Sequence, residues 1–231
     1  MSDQYERDEA FAYFVKKFGE RTYPIDADPA VIEKYRGRLP DQLLTYWRHE
    51  GWGAWKEGLF WVVNPDDYAT VLETWIADTP LEGADQWHVI ARSAFGVLFL
   101  CGEHTGTGID ISTKGNMTNT SKSHLKKKNK EDLNENIRSF FAFSNPEYLD
   151  EEDGGDKPLF QRALKKLGHL EPHEMYGFDH ALVAGGPNTL ENLTKVEIEP
   201  YLLMLRDLGG PMAFPFFGYD FDALASEALK D

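Results

Sequence analysis

The stretch from Gly51 to Tyr68, GWGAWKEGLFWVVNPDDY, limits what this chain can fold into more than any other segment. Five consecutive apolar residues, Leu59-Phe60-Trp61-Val62-Val63, stand between Gly58 and Asn64-Pro65. A run of that length, mostly β-preferring and closed at both ends by turn residues, reads as a buried strand. A helix start follows at once: Asn64 can cap it, Pro65 suits its first position, and Asp66 and Asp67 complement the positive end of its dipole. Tyr68, Val71, Leu72, Trp75 and Ile76 then keep one helical face apolar. A strand delivered directly into an amphipathic helix requires α and β layers that share a core. Trp61 and Trp75 belong to that core by default. Trp52 and Trp55 lie between glycines, where a loop can expose them as interface anchors and core packing is the alternative.

The remaining elements fall around this unit. Asp3 with Glu6 forms a possible capping box, after which Phe11, Phe14 and Phe18 recur at helical spacing until Gly19. Asp28 and Pro29 start a second helix with Val31, Ile32 and Tyr35 inward, and Pro40 starts a third with Leu43, Leu44 and Trp47 inward. Trp87 to Ala94 and Val97 to Cys101 are apolar runs around a Phe95-Gly96 turn, and Gly108 to Thr113 alternates as a half-exposed strand does. Residues 114–130, KGNMTNTSKSHLKKKNK, have almost nothing to bury and read as a solvated connection; their lysines can alternatively meet the acidic loop near residue 150. Beyond them, Glu131 to Phe143, a segment opened by Pro158, and Ile198 to Leu208 carry helical stripes, the last with Leu202, Leu205 and Leu208 inward. Ala181 to Ala184 reads as a short buried strand. The expected fold class is therefore α+β: N-terminal helices on a small antiparallel sheet over 1–115, a linker over 116–130, and a smaller, mostly helical domain over 131–231. The aromatic, proline-rich tail GGPMAFPFFGYDFDALASEALKD is expected to dock on the body or cover part of a groove.

Composition excludes several functions. Of the 231 residues, 42% are hydrophobic and 13% aromatic, ample for real cores, while the net charge of −15 opposes binding to nucleic acid or anionic membrane and suits a basic partner. Cys101 is the single cysteine, so no intramolecular disulfide can form. The N-terminus has no signal-peptide pattern and no stretch approaches the ~18 apolar residues of a membrane span, which points to the cytoplasm.

Catalytic constellations fail on spacing. His49-Glu50 and His173-Glu174 begin like the zinc-protease motif, but Gly53 and Gly177 stand where its second histidine would be. His169, His173 and His180 lie close in sequence, yet Pro172 interrupts any helix that would align them. Gly106-Thr107-Gly108 precedes a strand and so is no dinucleotide-binding turn. Asp150, Glu151, Glu152 and Asp153 head an acidic loop without the ligand spacing of a calcium site, leaving solvated charge or partner contact. Cys101 sits in an apolar run as a small core residue.

Two longer stretches resemble a known family. LPDQLLTYWRHEGWGAWKEGLFWVVNPDDYATVLETWI, continued by HVIARSAFGVLFLCGEHTG, resembles the GAD-like domain of bacterial immunity proteins against type VI secretion toxins. SFFAF, followed by KPLFQRALKKLGHLEPHEMYGFDHALVAGGPNTLENLTKV, is similar to the domain of unknown function that forms the C-terminal half of those proteins. The tail departs from the family pattern. The resemblance implies a non-enzymatic immunity protein, with no cofactor or metal, whose partner is a cognate secreted toxin, a DNase, held by occlusion of its active or substrate-binding site. On that reading Trp52, Trp55, Asp150, Glu151, Glu152 and Asp153 are the candidate partner-binding residues. The alternatives from the residues alone are a metal-assisted hydrolase using the histidine-rich loop and a small-ligand sensor with an aromatic pocket.

Overall fold

The structure, a computed structural model, describes residues 5–218. In chain order it contains α1 (Glu9–Phe18), β1 (Tyr23–Ile25), α2 (Pro29–Lys34), α3 (Asp41–Glu50), β2 (Trp52–Trp55), β3 (Phe60–Val62), α4 (Ala69–Ile76), β4 (Trp87–Ser93), β5 (Val97–Gly102), β6 (Gly106–Ser112), β7 (Met117–Asn119), α5 (Lys130–Phe143), α6 (Phe160–Leu167), β8 (Glu174–Phe178), β9 (Leu193–Glu197) and α7 (Ile198–Gly209). Strands β1 to β7 form one antiparallel sheet in which spatial order equals chain order. β8 and β9 form a separate hairpin.

Pairing register sorts the side chains by face. Trp55 lies opposite Phe60, and both meet Phe14 of α1, with ring centroids 5.0 and 5.5 Å away. Phe99 of β5 and Phe140 of α5 extend this layer, so α1 and α5 cover one face of the sheet. The alternate residues, among them Trp61, Leu98, Leu100, Ile109 and Ile111, are buried on the other face, under α4, the β8–β9 hairpin and α7. There the Trp75 indole of α4 donates to the Leu202 carbonyl of α7 at 3.1 Å.

The helices start where their caps predict, with one change. Asp8 caps α1, accepting from the Phe11 N–H, whereas Asp3 lies outside the described residues. Asn64 accepts from the Asp66 N–H, but its helix opens with a 3-10 turn over Pro65–Tyr68 before α4 begins.

The second half differs from expectation in four respects. Residues 116–130 are no free tether: β7 pairs with β6, a 3-10 turn spans Lys122–Leu125, and Thr118, Thr120 and Ser121 are buried. The stretch from Ala181 is a 3-10 turn at Leu182–Ala184, and the strands of this region are β8 and β9. The part expected to be mostly helical therefore carries a hairpin. Leu208 is half exposed, because the inward stripe of α7 is Ile198, Leu202 and Leu205. Finally, 1–115 and 131–231 share one hydrophobic core: Phe141 of α5 packs 5.1 Å from Phe11 and 5.3 Å from Phe14. The described part of the tail does dock, with Ala213 exchanging backbone hydrogen bonds with Asn116 and Thr118 at 2.9 and 3.0 Å.

Candidate functional site

Trp52 and Trp55 are not exposed anchors. Both sit in β2, 6% and 0% exposed, and Trp55 meets Phe11 and Phe14 edge-on while Trp52 packs edge-on against Trp47. The glycines beside them have a different task from opening a loop. Gly53 adopts φ +117°, and a Cβ there would stand 1.9 Å from the Tyr23 carbonyl oxygen, so its bare backbone lets β1 close against β2.

Most of the acidic loop is engaged in its own architecture. The Asp150 carboxylate accepts from the backbone N–H groups of Glu151, Leu159 and Phe160 at 2.7, 3.2 and 2.8 Å, which ties the loop to the start of α6. Burial pushes its pKa up, and those N–H groups oppose the rise. Asp153 accepts from Arg162 at 2.6 Å, which holds its carboxyl below the ordinary range. Glu151 pairs with Lys114, a contact of the lysine-bearing segment with the acidic loop. Of the four, only Glu152 is exposed to solvent.

The histidines do not converge. His169, His173 and His180 are all exposed, and His173 Nε2 lies 3.6 Å from a Glu197 carboxylate oxygen. Among the described residues no three His, Cys, Asp or Glu side chains are placed to hold a metal ion.

The structure exposes instead a groove of about 620 Å³ on the helical face of the sheet, beyond the edge of α5. Its floor is set by register: Phe99 lies opposite Asp110, and Asp110 opposite Asn119, so the three side chains share the face that carries Phe60 and Phe140. On the reverse face Leu98, Leu100, Ile109 and Ile111 are fully buried. The walls are Asn136, Ser139, Phe140 and Phe143 of α5, followed by Ser144, Asn145, Tyr148 and Leu149. Phe143 and Tyr148 stand at the rim 82% and 84% exposed, the two most exposed large apolar side chains among the described residues. Asp110 accepts from Asn119 Nδ2 at 2.8 Å, and burial pushes its pKa up to about 6. Among the described residues no lysine or arginine lines the groove.

These residues escape sequence reading for identifiable reasons. Phe143 follows Phe140 at helical spacing but lies off the buried stripe of Leu133, Ile137 and Phe141. Asp110 is one of the polar alternates expected to face water. The available signal is that alternation, which puts Asp110 on the face of Phe99 once the strands are paired.

A second cavity, about 310 Å³, lies where β2 and β3 meet the β8–β9 hairpin and α7. Trp52, Trp61, Tyr68, Pro172 and Ile198 line it, with Asp67 and Glu197 among its polar groups. Beneath Trp61 the Arg92 guanidinium lies 4.6 Å from the ring and donates to the carbonyls of Pro172 and Glu174 at 3.1 and 3.0 Å, fastening the hairpin to the sheet.

Comparison with known proteins addresses both halves. No curated protein matches the sequence. A solved structure, the crystal structure of Atu4351 from Agrobacterium tumefaciens, is similar with a TM-score of 0.76 and 26% sequence identity, covering 88% of this chain and 91% of that one. Residues 9–115 match the GAD-like domain, and residues 134–209 match the C-terminal domain of the type VI secretion immunity protein Tdi1. With both domains present in that order and spanning most of its length, the chain belongs to the type VI secretion immunity proteins that join a GAD-like domain to a Tdi1-type C-terminal domain.

Proposed function

We propose that this immunity protein acts inside the producing cell by binding a cognate toxin that is a DNase and covering its active or substrate-binding site. The observation that carries the reading is the open groove, which combines exposed aromatic side chains with an acid and, among the described residues, no basic lining residue. Tight protein–protein contacts are built from such aromatic anchors at a desolvated centre. A nuclease presents a basic surface to DNA, and a partner of net charge −15 meets it with complementary potential. Glu152, exposed where the acidic loop bridges back to Pro158, contributes to steering, while Asp150, Glu151 and Asp153 keep the loop in shape.

The test uses the toxin encoded by the adjacent gene. The two proteins are expected to form a stoichiometric complex in which DNA cleavage stops. Raising salt from about 0.05 to 0.5 M should lower the association rate at least about tenfold and change dissociation less, because screening acts on long-range attraction more than on desolvated contacts. No complex, or cleavage that continues within it, overturns the reading. The cavity beside Trp52 and Trp61 favours a second reading, a small-ligand sensor. Quenching of tryptophan fluorescence by a cell metabolite extract, lost in Asp67→Asn, would support it.

A further inference from the structure

We infer that the groove beside α5 is the surface that grips the toxin: a lysine or arginine of the partner seats on Asp110, and Phe143 and Tyr148 close on the apolar side chains next to it. This rests on the immunity reading above and names the surface and chemistry by which it works.

Three observations converge on that occupant. Phe143 and Tyr148 stand almost fully in water on one side of a concave surface, an arrangement that a partner's apolar side chains relieve by area removed from water. Asp110 of β6 lies on the groove floor, with Asn119 as its hydrogen-bonding neighbour, and among the described residues no lysine or arginine lines the groove. Asp110 is half-buried, so its carboxylate is partly withdrawn from water without a countercharge, and an arriving ammonium or guanidinium offsets that loss. Its raised pKa reports the same lack of solvation. Glu151, the other acid lining the groove, is already paired with Lys114 and leaves Asp110 as the acceptor.

Charge also decides between a toxin and a second copy of this chain. A symmetric pair joined through the groove would bring two copies of Asp110 together in chains that each carry a net charge of −15. Like charges at an interface oppose association, whereas a basic partner meets them favourably. The volume, about 620 Å³, accommodates one long basic side chain with its apolar neighbours.

The experiment measures binding of the catalytically inactivated toxin domain from the adjacent gene to the full-length immunity protein and its variants, each first shown by circular dichroism to be folded at the assay pH. Phe143→Ala with Tyr148→Ala is expected to raise the off-rate at least about 30-fold, and Asp110→Asn to weaken affinity about tenfold. Met204→Ala, on the exposed face of α7, serves as the control and should stay within about twofold of wild type. If wild type binds and inhibits while the groove variants match it, the groove assignment is overturned and the immunity reading stands. If wild type does not bind, the immunity reading itself fails. A dimer in light scattering that Tyr148→Ala dissociates would give the groove to a second copy. A chain ending at Gly218 that binds the toxin much more tightly would give it to residues 219–231. Either result overturns the inference.

Discussion

Arg92 is fully buried, and among the described residues no carboxylate stands against it. Its guanidinium is held by main-chain carbonyls and the face of Trp61, and its Nε has no hydrogen-bond partner. Burial lowers its pKa, but arginine starts so high that it stays charged. Arg92→Met should cost about 3 kcal/mol in urea unfolding, since the carbonyls of Pro172 and Glu174 lose this donor in a dry place. Two aspartates test the opposite signs of linkage. Burial raises the pKa of Asp85 on its own, but hydrogen bonds from His104, Thr105 and nearby backbone N–H groups outweigh this and hold it below 3.8. Its stabilisation is thus fully present above the unfolded pKa and is lost as pH falls through the lower folded one. Asp110 runs the other way. With a folded pKa of about 6 against 3.8, the folded state binds the proton more tightly, so stability falls as pH rises through that window. Urea unfolding of Asp110→Asn beside wild type, from pH 4 to 7, should show the variant gaining relative stability up to about pH 6 and no further.

At the level of elements, Gly53 is where one methyl group has the largest effect. Gly53→Ala places a Cβ on the Tyr23 carbonyl and adds strain at φ +117°, so β1 should detach, with a loss above about 2 kcal/mol and faster hydrogen exchange at Tyr23 and Ile25. The helices were legible because their caps and stripes are local: Asp28 with Pro29, Gly51 after Trp47, and Gly168 after Leu167 act within one turn. β4 and β5 were legible from two apolar runs around Phe95-Gly96. β1, β2 and β7 were not, being only three or four residues long, with Pro24 inside β1, Gly53 inside β2 and polar residues in β7, so that their pairing is decided by distant partners. Residues 116–130 misled for a related reason. Asn116 bonds the carbonyls of Gly209, Gly210 and Pro211, and Ser121 bonds Ser123, so polar side chains are buried with their partners. The groove was illegible as a site, because it exists only when β5, β6 and the far end of α5 are assembled. The acidic loop was legible as a charged loop, but not the internal duties that leave Glu152 as its one exposed member of the four.

For the molecule as a whole, the shared core predicts that the two family domains do not fold independently. α5, from the second half of the chain, fills the space between Phe11, Phe14 and Tyr46, and Trp75 of the first half bonds α7 of the second. A fragment ending at residue 115 is therefore expected to expose the apolar side of α1 and fail to fold, while the full chain unfolds in one transition by both far-ultraviolet and tryptophan signals. Two separated transitions, or a folded fragment, would restore an independent N-terminal domain. Limited proteolysis offers a second check: the 116–130 segment should resist cleavage at least as far as Leu125, since β7 and the turn after it are packed.

The sheet has two rims, and neither invites an addition. At one, β1 is three residues long with Pro24 at its centre, which has no N–H to offer. At the other, β7 already receives Ala213 from its own tail. An antidote must be in place before the poison arrives, at a standing concentration set by the worst attack, and a crowded solution of half-open sheets would polymerise. With both rims blocked, pairing of molecules through open strand backbone is disfavoured, and on the reading proposed above recognition falls to a face of the sheet instead of its backbone.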